Sequence, residues 1–174
     1  TSLYAILSQL NIEKGSDILM APINISPMID IIDSLGYVPV FVDINLYDFG
    51  PNYEILENYL KKPNIKCFLL TYLFGYVPNI ELIASLCKKH NVYLIEDISQ
   101  NIGSKFNNKF LGTFGEASIY SASFTKYVDA YNGSFILTKN KSLNSKINTF
   151  ISSFLFPDPK RIRSIILKTL IYNI

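Results

Sequence analysis

Lys66-Cys67-Phe68-Leu69-Leu70-Thr71-Tyr72 is followed by Ile80-Glu81-Leu82-Ile83-Ala84-Ser85-Leu86-Cys87-Lys88-Lys89 and then by Val92-Tyr93-Leu94-Ile95. The first and third stretches are apolar almost throughout, as strands covered on both faces are. The middle stretch is made of helix-forming residues and ends on a lysine pair, which suits a helix C-terminus. Strand, helix and strand in this order build a parallel sheet.

The same alternation runs outward in both directions. Further strands are predicted at Ile18–Ala21, Val38–Val42, Ala117–Tyr120 and Ser134–Thr138, and further helices at Leu3–Leu10, Pro27–Leu35 and Tyr53–Leu60. The fold class is therefore α/β with a mainly parallel sheet. Its crossovers should be right-handed and its functional loops should lie at the carboxyl ends of the strands. After Thr138 the pattern changes. Asn144–Phe154 reads as another helix, Phe156-Pro157-Asp158-Pro159 breaks the chain, and Lys160–Tyr172 is basic and amphipathic. Ile162, Ile165, Ile166 and Leu170 fall near helical spacing there, so this helix is expected to face the core or a subunit rather than a membrane surface.

Composition removes several classes of function. The chain has 174 residues, 49% of them hydrophobic and 17% charged, enough for one domain with a substantial core. A net charge of +2 gives no case for nucleic acid. Uncharged apolar runs are far shorter than the roughly 20 residues of a membrane span. Cys67 and Cys87 have no C-x-x-C neighbour, and the one histidine, His90, stands in a Lys-Lys-His-Asn turn, so no metal site is expected. Two free thiols fit a reducing cytoplasm. No signal peptide opens the chain, which starts without methionine and ends abruptly at Ile174, as a fragment or one domain of a larger protein would.

Two segments could carry chemistry. In Leu94-Ile95-Glu96-Asp97-Ile98-Ser99-Gln100, two acids end an apolar strand. An aspartate at such an end can bind a ribose hydroxyl, a metal or a protonated heterocyclic nitrogen, or can simply cap a helix. In Ser118-Ile119-Tyr120-Ser121-Ala122-Ser123-Phe124-Thr125-Lys126, a strand runs into a hydroxyl-rich turn that holds one lysine. Small hydroxyls and exposed N–H groups can cradle a phosphate. A partly desolvated lysine there can attack a carbonyl carbon, while a solvated one is inert surface. Together the segments match what pyridoxal phosphate (PLP) chemistry demands. A carboxylate keeps the pyridine nitrogen protonated, a lysine holds the aldehyde and moves protons, and a serine anchors the phosphate.

Asp97-Ile98-Ser99-Gln100-Asn101-Ile102-Gly103-Ser104, Leu111-Gly112-Thr113-Phe114-Gly115-Glu116 and Lys126-Tyr127-Val128-Asp129 resemble, in order, the E-D-x-x-Q motif, the G-x-x-G-D turn and the lysine segment of the DegT/DnrJ/EryC1/StrS aminotransferases. Gly36-Tyr37-Val38-Pro39-Val40-Phe41-Val42-Asp43 resembles that family's G-x-x-P-V-F-V-D strand, and Phe74-Gly75-Tyr76 its glycine after the third strand. The resemblance implies a three-layer α/β/α domain, the large domain of a fold-type I PLP-dependent transferase. It implies that Asp97 meets the pyridine nitrogen, Gln100 the ring or its hydroxyl, Ser121 the phosphate, and Lys126 the cofactor's aldehyde. Thr1 and Ser2 resemble the phosphate loop at the start of the first helix, where the helix dipole favours a dianion.

The same resemblance implies amino transfer from glutamate or glutamine to a nucleotide-linked keto-sugar in a cytoplasmic homodimer. Related sugar dehydratases carry histidine in place of the lysine, so Lys126 argues for transamination. Three departures accompany it. Pro22-Ile23-Asn24-Ile25-Ser26 has no aromatic to stack on the cofactor, the glycine-rich turn is reduced to Tyr131-Asn132-Gly133-Ser134, and Glu116 stands where aspartate is common. Residues 1–148 are expected to form the PLP-binding domain, truncated at its N-terminus on one reading. Residues 149–174 are expected to be a helical tail or linker, with the C-terminal small domain missing. The alternative function is a truncated or degenerate member that binds or assembles without catalysis. A nucleotide-binding domain with Asp97 on a ribose is opposed by the absence of G-x-G-x-x-G after the first strand.

Overall fold

Three helices start at an asparagine whose side chain accepts a hydrogen bond from the first turn: Asn52 before α3 (Tyr53–Leu60), Asn79 before α4 (Ile80–Lys89) and Asn140 before α5 (Lys141–Ser152). Each cap satisfies one of the amides that a helix start leaves without a partner. The computed structural model describes residues 1–123, 126–128, 133–154 and 158–172. The remaining elements are α1 (Ser2–Gln9), β1 (Asp17–Met20), α2 (Ser26–Ser34), β2 (Val38–Phe41), β3 (Ile65–Thr71), β4 (Tyr93–Asp97), β5 (Lys105–Phe106), β6 (Lys109–Phe110), β7 (Ala117–Ala122), β8 (Gly133–Leu137) and α6 (Pro159–Tyr172). The predicted strands and helices are all present, with ends within three residues of their expected places.

The main sheet has the order β2-β1-β3-β4-β7-β8, parallel except for β8, which runs antiparallel to β7. The ten residues 123–132 between β7 and β8 are too few for a parallel crossover, which needs a dozen or more. The β5–β6 hairpin was not foreseen. Its turn residues Asn107 and Asn108 both have positive φ, the geometry that fits a two-residue turn to strand twist. Strands of two residues carry too little pattern to be read from sequence.

Side chains alternate across each strand, and the core divides accordingly. Phe68, Leu70, Leu94 and Tyr120 pack with Leu56 and Leu60 of α3 and Ile80, Ile83 and Cys87 of α4. Ile18, Leu69, Ile95 and Ile119 pack on the other face with Ile6 of α1, Ile32 of α2 and Leu143 and Ile147 of α5. This is the three-layer arrangement. The expected division at 148/149 falls inside α5, because Phe150 beyond it stacks on Tyr4 of α1 with ring centroids 6.0 Å apart. In α6, Ile162 and Leu167 are exposed, so this helix does not turn all its apolar residues to the core. The expected break at Phe156 and Pro157 lies outside the described residues. His90 caps α4, and its largely covered ring meets Glu57 Oε1 at 3.0 Å. No helix among the described residues is long and apolar enough to cross a membrane.

One polar group ties the layers together beneath the strand ends. Glu96 is fully buried, yet its carboxylate has no cation beside it among the described residues. Four donors surround it instead: Tyr72 Oη at 2.7 Å, Gly112 N at 2.7 Å, Phe114 N at 2.8 Å and Gly115 N at 2.7 Å. The 112–115 turn is thereby pinned against β4. Gly115 is required there, since a Cβ would lie 2.3 Å from the Leu94 carbonyl oxygen. Burial and the adjacent Glu96 charge push the Tyr72 hydroxyl far above its ordinary value, so it stays a donor. Replacing Glu96 by alanine strands four donors, two of them buried (Tyr72 Oη and Gly112 N) and two partly buried, and unfolding in urea is expected to show a loss on the order of 3–5 kcal/mol. A loss below about 1 kcal/mol would remove Glu96 from this role.

Candidate functional site

The apolar rows on the α1–α2 face end in polar residues at the carboxyl edge of the sheet. Leu69 is followed on that face by Thr71, Ile95 by Asp97 and Ile119 by Ser121, and Thr71 pairs in register with Asp97. A core row thus becomes a polar ledge with no change of strand direction. The ledge forms one wall of a cleft of about 400 Å³, which Gln100, Ser123, Lys126, Ile25 and Phe74 also line.

Two lobes adjoin the cleft. One, of about 290 Å³, is lined by Thr1 and Ser2 at the start of α1 together with Ser99, Ser121, Ser123 and Ser134. The other, of about 490 Å³, lies between Phe74, Gly75, Gln100, Lys126 and Tyr127. Asp97, Gln100, Ser121, Lys126, Thr1 and Ser2 therefore all come together at one mouth. Phe124 and Thr125 of the hydroxyl-rich turn, and Tyr131 and Asn132 of the reduced glycine turn, lie outside the described residues.

Asp97 does not cap a helix. Its Oδ1 accepts from Ser99 N at 3.0 Å and from Ser99 Oγ, closing a tight turn after β4. Its side chain is buried, and burial pushes the carboxyl above the ordinary carboxylate value. The two Ser99 bonds and the charge of Lys126 oppose that rise. Gln100 Oε1 accepts from Phe74 N at 2.8 Å, which leaves its amide N–H groups for the cleft. Asn24 Nδ2 donates to Thr71 Oγ1 at 3.0 Å and closes the far end.

In the hydroxyl-lined lobe, Ser2 Oγ and Ser134 Oγ are 2.6 Å apart, and Ser121 Oγ donates to Ser123 Oγ at 3.3 Å. Thr1 begins α1 with no side-chain cap bond, so its hydroxyl is uncommitted to the helix. Ser123 falls in the hydroxyl-rich turn already read as a possible cradle, whereas sequence reasoning missed Ser134, Thr71 and Ser99 as lining residues. The strand-end rule that singled out Asp97 applies equally to Thr71. Among the described residues no group of three histidine, cysteine or acidic side chains could hold a metal.

Residues 1–158 match the model of the DegT/DnrJ/EryC1/StrS aminotransferase family. The chain belongs to that family. GDP-perosamine synthase of Escherichia coli O157:H7 is 27% identical over 142 residues, which is 82% of this chain and 39% of that protein. The chain thus spans about two fifths of the curated relatives' length. Helicobacter pylori PseC, an aminotransferase involved in the biosynthesis of pseudoaminic acid, superimposes with a TM-score of 0.78 at 28% identity over 91% of this chain and 42% of that one. The Escherichia coli GDP-4-keto-6-deoxy-D-mannose-3-dehydratase with bound hydrated PLP shares the fold, with a TM-score of 0.74 at 24% identity over 82% of this chain and 38% of that one.

The burial of Asp97 has a consequence for stability. Its folded value is raised, so its contribution is fully present below the ordinary 3.8 and is lost as pH rises through the raised value. Asp97→Asn keeps an oxygen for Ser99 and removes the buried charge. In urea titrations of the cofactor-free chain, the variant is expected to gain on the wild type as pH climbs out of the acid range. A difference that stays flat with pH would show that the carboxylate is not destabilised by burial.

Proposed function

We propose that this chain is the cofactor-binding part of a PLP-dependent aminotransferase that acts on a nucleotide-linked keto-sugar, with glutamate or glutamine as amino donor. The observation that carries the proposal is the convergence of Asp97 and Lys126 on one cleft, with a hydroxyl-lined lobe beside it. Family membership and the activities for which GDP-perosamine synthase and PseC are named support the reaction class and the sugar. The related dehydratase solved with hydrated PLP supports the cofactor.

The residues present fit the group. Thr1, Ser2, Ser121 and Ser134 supply hydroxyls, and the start of α1 supplies free amides, for a phosphate dianion. Asp97 would offer its second oxygen to a pyridine nitrogen and keep that nitrogen protonated. Gln100, with its oxygen committed to Phe74, would have amide protons left for the ring hydroxyl. PLP, when bound, supplies an electron sink for the pair released at the donor's α-carbon. Lys126 Nζ would be the amine that holds the group's aldehyde and, once free, the base that would move a proton at the donor's α-carbon. Ile25 and Phe74 bound the cleft where no stacking aromatic follows Pro22.

A homodimer accompanies this reading. Leu46 and Tyr47 are 79% and 91% exposed on a loop whose Phe49 ring lies 5.3 Å from that of Phe74, so apolar surface for a partner sits next to the cleft. Cys67 and Cys87, both free and buried, agree with a reducing cytoplasm.

An absorbance scan with PLP tests the proposal. The chain should develop the visible-edge band of PLP joined to a lysine, Lys126→Ala should lack it, and glutamate should convert the wild-type band to that of the pyridoxamine form. A band unchanged in Lys126→Ala would remove the lysine assignment. A Lys126-dependent band that glutamate leaves untouched would make the chain a binding or assembly subunit.

A further inference from the structure

We propose that Ser99 is a positioning residue that locks the Asp97 carboxylate in one orientation and couples it to the strand that carries Ser121. The inference rests on the cofactor reading above and adds to it a residue that the pairing of Asp97 with Lys126 does not use.

Ser99 N donates to Asp97 Oδ1 at 3.0 Å, and Ser99 Oγ donates to the same oxygen. Ser99 Oγ in turn accepts from Ser121 N at 3.0 Å. A hydroxyl has one proton to give, so a donor arriving from Ser121 fixes the direction of the chain: Ser121 N–H to Ser99 Oγ, Ser99 O–H to Asp97 Oδ1. Both bonds to the carboxylate fall on Oδ1, and no described residue donates to Oδ2. The carboxylate is thus held by one oxygen while the other is left for the cleft.

Position supports the same conclusion. Ser99 is buried, so its hydrogen bonds form away from water, where they are strongest. It lines the central cleft and both lobes, between Lys126 on one side and Ser121 on the other. The side chain that orients the proposed ring-nitrogen partner is therefore bonded to the backbone of the proposed phosphate ligand, and a shift at either end reaches the other. Both Ser99 bonds also oppose the upward push of burial on Asp97 and favour the charged form that a protonated ring nitrogen needs.

Two titrations test the proposal. In the cofactor-free chain, carbon-13 NMR of the Asp97 carboxyl should show its titration moved upward by about one pH unit in Ser99→Ala and unmoved in Ser99→Thr, which keeps the hydroxyl. In the PLP-loaded chain, nitrogen-15 NMR of labelled cofactor should show the ring nitrogen losing its proton at lower pH in Ser99→Ala than in the wild type, again restored by Ser99→Thr. Should Ser99→Ala fail to fold, Ser99→Cys, a weaker donor of similar size, should give an intermediate shift in both. An Asp97 titration unchanged in Ser99→Ala, or moved equally by Ser99→Thr, overturns the proposal. An Asp97 shift with no change at the ring nitrogen overturns it too. Wild-type chain that forms no PLP band sinks the cofactor reading itself, a failure distinct from the first because the cofactor-free titration does not depend on it.

Discussion

A buried carboxylate with no counter-ion among the described residues stands at the centre of this fold. Charge is expensive to bury, and Glu96 is wholly buried. Three backbone amides and a tyrosine hydroxyl complete its coordination, and together they fix where β4 ends and where the 112–115 turn must lie. The turn leads directly into β7, whose far end carries Ser121. The parallel ladder sets the spacing of β4 and β7, and Glu96 reinforces it from within the core by pinning the turn that enters β7. A functional surface built this way inherits the rigidity of the core, which is what holding a small flat ligand within a fraction of an ångström requires.

The adjacency of Glu96 and Asp97 shows how far the sequence can be read. Both acids end the same apolar strand, and alternation sends them to opposite faces. Had one face been solvated, polar residues upstream would have shown which was which. In a sheet covered on both sides every upstream position is apolar, and the period that assigns faces disappears. The strand itself, its direction and the polar character of its end were legible for that same reason. The division of labour between a buried structural acid and a cleft acid was not, because it depends on the 112–115 turn folding back beneath β4, a contact between segments distant in the chain.

The cleft residues divide the same way. Asp97, Gln100, Ser121 and Lys126 were reachable because strand ends and a hydroxyl-rich turn carry local signals. Ser134 became visible only when the antiparallel return of β8 set it opposite Ser121 and against Ser2. That return follows from the shortness of the 123–132 connection, a constraint the sequence contains but which acts through sheet geometry. The Asn107-Asn108 turn is the reverse case. Its signal is local and strong, yet the strands beside it are too short to announce a hairpin.

Phe74 gives the last step. A phenylalanine at φ 54° occupies the left-handed region, which costs a residue with a Cβ on the order of 1 kcal/mol or more. Two contacts hold it there: its N–H to Gln100 Oε1 at 2.8 Å, and the Phe49 ring 5.3 Å away, which itself lies 4.8 Å from the Tyr76 ring. The bond to Gln100 uses that side chain's only acceptor, as Ser99 uses one oxygen of Asp97. In both residues the interior takes one end of the functional group and leaves the other to the cleft. What remains facing a ligand is therefore sorted by chemistry: a carboxylate oxygen on the ledge, amide protons beside Phe74, an amine on Lys126, and hydroxyls around Ser2 and Ser134. A planar ring with one basic nitrogen, an acceptor oxygen, an aldehyde and a phosphate presents the complement of that set. The left-handed backbone at Phe74 aims its N–H at Gln100 Oε1, and relaxing it would free that side chain to turn either of its ends to the cleft.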